Sequence, residues 1–155
     1  FVEILTRYEG HFGLYSLPTE AQWEYAAKAG GNSRFSFGDC EAMLDDYAAY
    51  VMNSPGMTVE VDTKLPNRLG ICSLMGNVWE WCEDDFYPNY EGAPADGSAR
   101  LGNASTGSFK VRRGGSFKTD YICLRSSFRG YSRPDLVAND IGIRIVINGN
   151  PFAQS

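Results

Sequence analysis

The chain is expected to fold as one α+β domain, two helices first and then strands tied by long irregular loops, and three observations lead there. One well-marked helix lies near the start, in "LPTEAQWEYAAKAGG". Short apolar runs broken by Gly, Pro, Asn and Asp follow it, and Gly (17), Tyr (9) and Phe (9) are abundant among 155 residues. Such a composition favours tight turns and stacked rings over a helical bundle. A chain of this length buries roughly two-thirds of its unfolded surface, enough for a single core across residues 1–155.

The elements can be justified in order. "FVEILTRYEG" sets Phe1, Ile4, Leu5 and Tyr8 on one helical face with Gly10 as a stop, so residues 1–10 read as the end of an amphipathic helix. In the next segment Thr19 and Gln22 stand in capping-box relation, Pro18 precedes the cap, and Gly30 is placed to end the helix in a left-handed turn. Trp23, Ala26 and Ala27 share its face. From Asn32 the helical period is lost, and "VEVDT", "FKVRRGGSF" and "IGIRIVI" are the strand candidates. The stretch from Pro88 to Gly107, poor in large aliphatics, reads as a long surface loop.

Composition excludes several function classes. Lys plus Arg (14) against Asp plus Glu (19) gives a net charge of −5, without the basic footprint of nucleic-acid or anionic-membrane binding; only Lys110, Arg112 and Arg113 cluster. No apolar run of about eighteen residues exists, so membrane insertion is not expected. The chain starts without Met or a signal-like apolar stretch; its first residue is not expected to be the natural start, and compartment is not legible. Cys40, Cys72, Cys82 and Cys123 form no metal-spaced cluster and His11 is the sole histidine, which argues against zinc. Two disulfides and four free thiols stay equally open.

Catalysis finds few footholds. Ser116 in "RRGGSF" has no histidine base beyond His11, so a serine hydrolase is hard to build. The adjacent carboxylates Asp45/Asp46 and Asp84/Asp85 suit solvated or ion-binding loops better than a glycosidase. "MGNVWEW" admits two readings. Main-chain carbonyls of a tight Gly-Asn turn can join Glu80 around a hard cation, calcium being the natural one; or Trp79 and Trp81 anchor alternate faces of a strand with Glu80 paired to an arginine. Arg112, Arg113, Arg125, Arg129 and Arg133, interleaved with Phe117, Tyr121, Phe128 and Tyr131, fit cross-bracing of carboxylates, including those of the acidic loop, or, more sharply, a sulfate- or carboxylate-binding surface.

Taken together, "LPTEAQWEYAAKAG", "PNRLGICSLMGNVWEWCEDDFY", "VRRGGSF", "CLRSSFRGYSRPD" and "IGIRIV" resemble, in order and spacing, the formylglycine-generating enzyme/sulfatase-modifying-factor family, from about Leu17 to Val146. The resemblance implies a C-type-lectin-like fold from which the family's N-terminal strands and helix are missing. It implies a calcium site with carbonyls of Gly76 and Val78 and the carboxylate of Glu80, Ser73 standing where relatives carry Asn or Asp. A second family calcium site falls between Asp45 and Asp62. True formylglycine-generating enzymes oxidise a sulfatase cysteine using oxygen and copper bound by two cysteines five apart, shortly after the GGS motif, a soft site suited to copper(I). Here Thr119 stands at the first position and Cys123 has no partner at that spacing, so copper is not expected. Related iron enzymes of sulfoxide synthesis take their metal from histidines of another domain. The family's other use is as a binding scaffold, in retroelement variable proteins and in modules attached to bacterial kinases. That use implies a protein or small-molecule ligand met by Lys118, Thr119, Asp120, Tyr121, Tyr131, Arg133, Leu136 and Asn139. A family oxidoreductase with an unusual metal site or a missing partner segment is the alternative. Ile143, where relatives often have Phe, reads as a small core change.

Overall fold

The computed structural model describes residues 15–102 and 109–148, so the helix expected in residues 1–10 lies outside the described residues. The polypeptide is organised by helix α1, Glu20–Lys28, whose start follows the capping-box expectation. Thr19 Oγ1 accepts from Gln22 N at 3.1 Å and Gln22 Oε1 accepts from Thr19 N at 2.9 Å, satisfying two otherwise orphaned donors. Thr19 Oγ1 also donates to Gly97 O at 2.8 Å, tying the cap to the long loop. The left-handed exit begins one residue before Gly30, at Ala29 (φ 48°). A 3-10 turn (Glu41–Met43) runs into a short second helix, α2, Leu44–Tyr47.

Two small sheets complete the scaffold. Strands β1 (Tyr15–Ser16) and β6 (Val146–Ile147) pair antiparallel. The larger sheet has the order β4-β3-β2-β5, from β2 (Trp79–Asp85), β3 (Lys110–Arg113), β4 (Gly130–Ser132) and β5 (Ile141–Gly142), with only the β2–β5 pairing parallel. "FKVRRGGSF" thus yields a strand that stops at Arg113, because Gly114 (φ 95°) and Gly115 (φ 74°) turn the chain away. "IGIRIVI" splits into β5 and β6, leaving Arg144 between them. "VEVDT" is not a strand. The Asn77 side-chain amide clasps both Val59 N (3.0 Å) and Val59 O (3.1 Å), occupying backbone groups a ladder would need. The 88–102 stretch is loop, as expected.

Two hydrophobic clusters form the core. Trp23 and Ala27 of α1 pack with Leu74, Cys82 and Val111; Phe35, Leu44, Ala48, Tyr50, Met75 and Leu124 form the second. The neighbours Leu74 and Met75 send one side chain into each, so the segment entering the Gly76 turn joins the two halves. Trp79 and Trp81, two residues apart, share one face of β2 rather than lying on alternate faces. All four cysteines are unpaired, with Cys82 buried and Cys40 exposed. Among the described residues no helix is long and apolar enough to cross a membrane.

Candidate functional site

The Gly76–Asn77 turn is shaped by exclusion of side chains. At Gly76 (φ 71°) a Cβ would lie 2.0 Å from Ala49 O, and its N–H donates to Gly114 O at 2.8 Å. Asn77 (φ 61°) donates to Ala49 O at 2.7 Å and accepts from Phe117 N at 2.9 Å, so the turn pins two distant segments, at Ala49 and at Gly114–Phe117. Beyond it, Glu80 is 5% exposed and fully engaged. Its Oε1 accepts from Arg144 Nη2 at 2.7 Å, and its Oε2 from Arg144 Nε (2.9 Å) and Trp23 Nε1 (2.7 Å). Arg144 Nη2 also reaches Cys72 O (3.1 Å) and Ser73 O (3.2 Å). Ser73 (φ 55°) donates its hydroxyl to Val61 O at 2.5 Å. Ser73, Val78, Glu80 and Arg144 line one cavity of about 580 Å³ together with Asp62; Gly76 does not line it. Ile143, expected in the core, is 46% exposed at its rim. Among the described residues no three His, Cys, Asp or Glu side chains converge as a metal cluster.

A second network braces helix to sheet through Arg113 and Arg129, two of the five arginines singled out by spacing, but the acidic partners are on α1 rather than Asp84 and Asp85, which end β2 instead of lying in a loop. Arg113 is wholly buried; its Nε lies 3.3 Å from Glu20 and its Nη2 pairs with Glu24. Arg129 grips Glu20 with two hydrogen bonds (2.6 and 2.7 Å) and lies over the rings of Tyr90 (4.4 Å) and Phe86 (5.0 Å). Burial and then the Glu20 charge push the Tyr90 phenol up to about 12. Asp84 accepts from the main-chain N–H of Glu20 (2.6 Å) and Arg100 (2.8 Å), while Asp85 pairs with Lys110 at 2.8 Å. Nothing in the local sequence signals the Glu20–Arg129, Trp23–Glu80 or Glu80–Arg144 contacts, which join residues far apart in the chain.

The face downstream of Ser116 divides in two. Lys118 hydrogen-bonds Asn139 and lies 3.8 Å from Asp140, whose Oδ2 accepts from Ser116 Oγ at 3.0 Å. Asp120 accepts from Ile122 N at 3.1 Å and so caps the 3-10 turn Tyr121–Leu124, leaving Tyr121 38% exposed. Separately, Tyr131, Arg133 and Leu136 line a groove of about 420 Å³ with Phe109, Asp135 and Val137. Tyr131 stacks on Phe86 with centroids 4.2 Å apart. Thr119 turns inward: its Oγ1 accepts from Ser116 N (2.9 Å) and donates to Ser116 O (3.0 Å). The residue five further on, Leu124, is fully buried, and both side chains meet over Gly115, where a Cβ would come within 2.9 Å of Thr119 Oγ1 and 2.8 Å of Leu124 Cδ2. Burial raises the nearby Cys123 thiol above its usual value.

Comparison with known proteins is consistent with this geometry. The sulfatase-modifying factor enzyme 1-like domain family matches residues 2–149. The chain is 34% identical over 145 residues to a formylglycine-generating enzyme of Streptomyces coelicolor, covering 83% of this chain and 45% of that one. It is 35% identical to the serine/threonine-protein kinase pkn1 of Chlamydia caviae, covering 83% of this chain but only 20% of the kinase. Among solved structures, Treponema denticola variable protein 1 superposes with a TM-score of 0.76 at 39% identity, covering 84% of this chain and 46% of that one. PvdO from Pseudomonas aeruginosa superposes with a TM-score of 0.82 at 30% identity, covering 93% and 56%. The chain thus spans about half the length, or less, of the relatives it matches. With the family matched across residues 2–149 and relatives 34–35% identical over more than four-fifths of its length, the chain belongs to the sulfatase-modifying factor enzyme 1-like domain family.

Proposed function

We propose that the chain is a non-catalytic ligand- or protein-binding module, a display scaffold in the manner of the variable protein it resembles. One observation carries the reading. Thr119 and Leu124, the two positions matching the family's copper cysteines, do converge on one spot above Gly115, but they bring a hydroxyl and a hydrocarbon there. Neither supplies the soft thiolate that copper(I) requires, so the residues present do not fit that ion. Next to this spot in the chain Lys118, Asp120 and Tyr121 are exposed, with Asn139 joined to Lys118, while Arg133 and Leu136 are exposed along the separate groove; all are of types suited to contact.

The oxidoreductase alternative has one feature in its favour: Cys123 belongs to the same turn, its main-chain O lying 3.3 Å from a Cβ built at Gly115. Copper(I) titration separates the two. The expected result is no tight site; stoichiometric binding that disappears in Cys123→Ser would overturn the binding-module reading.

Calcium does not fit the Gly76–Glu80 turn as the family resemblance implies. Both Glu80 oxygens already serve a guanidinium, and a dication there would face the positive charge of Arg144 at close range. In our reading the internal ion pair takes the structural place of the metal.

A further inference from the structure

Arg112 is the one arginine among the described residues with neither a hydrogen-bond acceptor nor an ion-pair partner. Every other one, from Arg34 to Arg144, reaches a carboxylate or a main-chain carbonyl. Buried and half-buried guanidinium groups are ordinarily paired, because an unpaired charge out of water is costly. Here the Nε is sealed from solvent without a partner.

The side chain is nonetheless held in one place. Its backbone pairs with Trp81 on β2 and Gly130 on β4, and its guanidinium carbon sits 4.6 Å from the centroid of the Trp79 ring. Gly130 makes room for this stack: a Cβ there would meet Trp79 Cζ3 at 2.9 Å and Arg112 Cγ at 3.0 Å. Stacking satisfies the face of the guanidinium but none of its in-plane donors. Asp140 lies near enough to influence the charge but forms no ion pair with it, being engaged by Ser116 at 3.0 Å and Lys118 at 3.8 Å. Burial, outweighing that carboxylate, shifts the guanidinium below its ordinary value.

We propose that Arg112, on its Trp79 platform, is an anion-recognition residue that takes the carboxylate of a ligand end-on through Nη1 and Nη2. The proposal rests on the ligand-binding reading and names the chemistry its ligand presents. A planar carboxylate matches two parallel N–H donors, and its single charge matches a single free cation. A phosphate dianion would meet Asp140, so a monoanion suits the site better.

The test is a titration of the full chain followed by 15N NMR at constant ionic strength, with benzoate, its neutral analogue benzamide, and inorganic phosphate as probes. Benzoate is expected to give saturable millimolar shifts at the Arg112 Nε–H and Trp79 Nε1–H resonances, phosphate at least about tenfold weaker ones, and benzamide none. Arg112→Gln should weaken benzoate by about tenfold or more with the amide spectrum intact, and Arg112→Lys should fall between. Absence of saturable shifts, an equal response to benzamide, or benzoate binding that survives Arg112→Gln would overturn the site; phosphate binding tighter than benzoate would overturn its carboxylate chemistry. If Arg112→Gln melts early, the three wild-type titrations decide alone. Copper(I) titration is independent of all of these, so a chain that binds copper tightly but also benzoate would keep this site and lose the non-catalytic reading.

Discussion

Replacing Arg144 by Met should destabilise the chain by removing the charge that Glu80 was folded around. Glu80 is 5% exposed, and losing Arg144 leaves it, among the described residues, with Trp23 Nε1 as its only side-chain donor. Breaking a buried pair by deleting one partner costs about 3–5 kcal/mol. The Arg144 side chain is 27% exposed and the adjoining cavity admits water, so the cost is discounted to the bottom of that range or just below it, about 2–3 kcal/mol. For a chain of this size that corresponds to a fall of about 4–12 °C in Tm. Calorimetry or denaturant unfolding of Arg144→Met, Glu80→Gln and the double variant closes a mutant cycle, in which the double variant should be more stable than Arg144→Met alone. Wild-type protein should melt at the same temperature in excess chelator and in millimolar calcium, since the turn carries its own cation. A loss below about 1 kcal/mol in Arg144→Met, or a calcium-dependent rise in wild-type Tm, would refute the reasoning.

Gly76→Ala is expected to abolish soluble expression, because its Cβ would sit 2.0 Å from a backbone oxygen that Asn77 also needs; a variant melting within a few degrees of wild type would contradict the described turn. Thiol labelling of native protein should modify exposed Cys40 first and Cys82 last, the latter being buried and its thiol pushed well up by burial; early Cys82 labelling would place it at the surface. Tyr90 holds its proton more tightly folded than unfolded, so its contribution to stability is complete below pH ~10 and is lost as pH rises towards about 12. A tyrosinate absorbance titration should lose one late-titrating phenol in Tyr90→Phe, and superimposable curves would count against the burial of Tyr90 and its hydrogen bond to Glu20 (3.3 Å).

What was legible in the sequence was what short-range physics decides. The α1 cap is spelled out by Thr19 and Gln22 three residues apart, and the end of β3 by Gly114 and Gly115. "VEVDT" carries the strand period correctly yet forms no strand, because Asn77, eighteen residues later, takes its backbone groups. The same limit applies to the site. Glu80 could be weighed as an ion-pair residue, but its partner could not be chosen: Arg144 is 64 positions away, and the five arginines that stood out by spacing are not the one that binds it. Arg112 stood out as a member of a basic cluster and as one of five arginines suited to bracing or binding carboxylates, with nothing to set it apart from the other four. Its lack of a partner is a property of the packed structure, visible once Arg113 beside it is seen to take the helix carboxylates.

The same division of labour bears on whether the face after Ser116 can vary. Its backbone is fixed from outside the face: Val51 N donates to Thr119 O at 3.2 Å, Phe117 N to Asn77 O at 2.9 Å, and Ser126 N to Arg34 O at 2.7 Å. Within it, the side chains of Thr119 and Asp120 hold turns, whereas Tyr121 and Leu136 are 38% and 44% exposed and their side chains close none, Leu136 giving only its N–H to Arg133 O (3.1 Å). A scaffold used for display should therefore separate the two sets energetically. Tyr121→Ala and Leu136→Ala should change stability by no more than about 0.5 kcal/mol, as surface substitutions generally do, while Asp120→Ala should cost about 1 kcal/mol through loss of its cap. Denaturant unfolding of the three variants measures this directly. If Tyr121→Ala or Leu136→Ala cost more than about 2 kcal/mol, the exposed side chains would be structural and the face could not be a freely variable ligand surface.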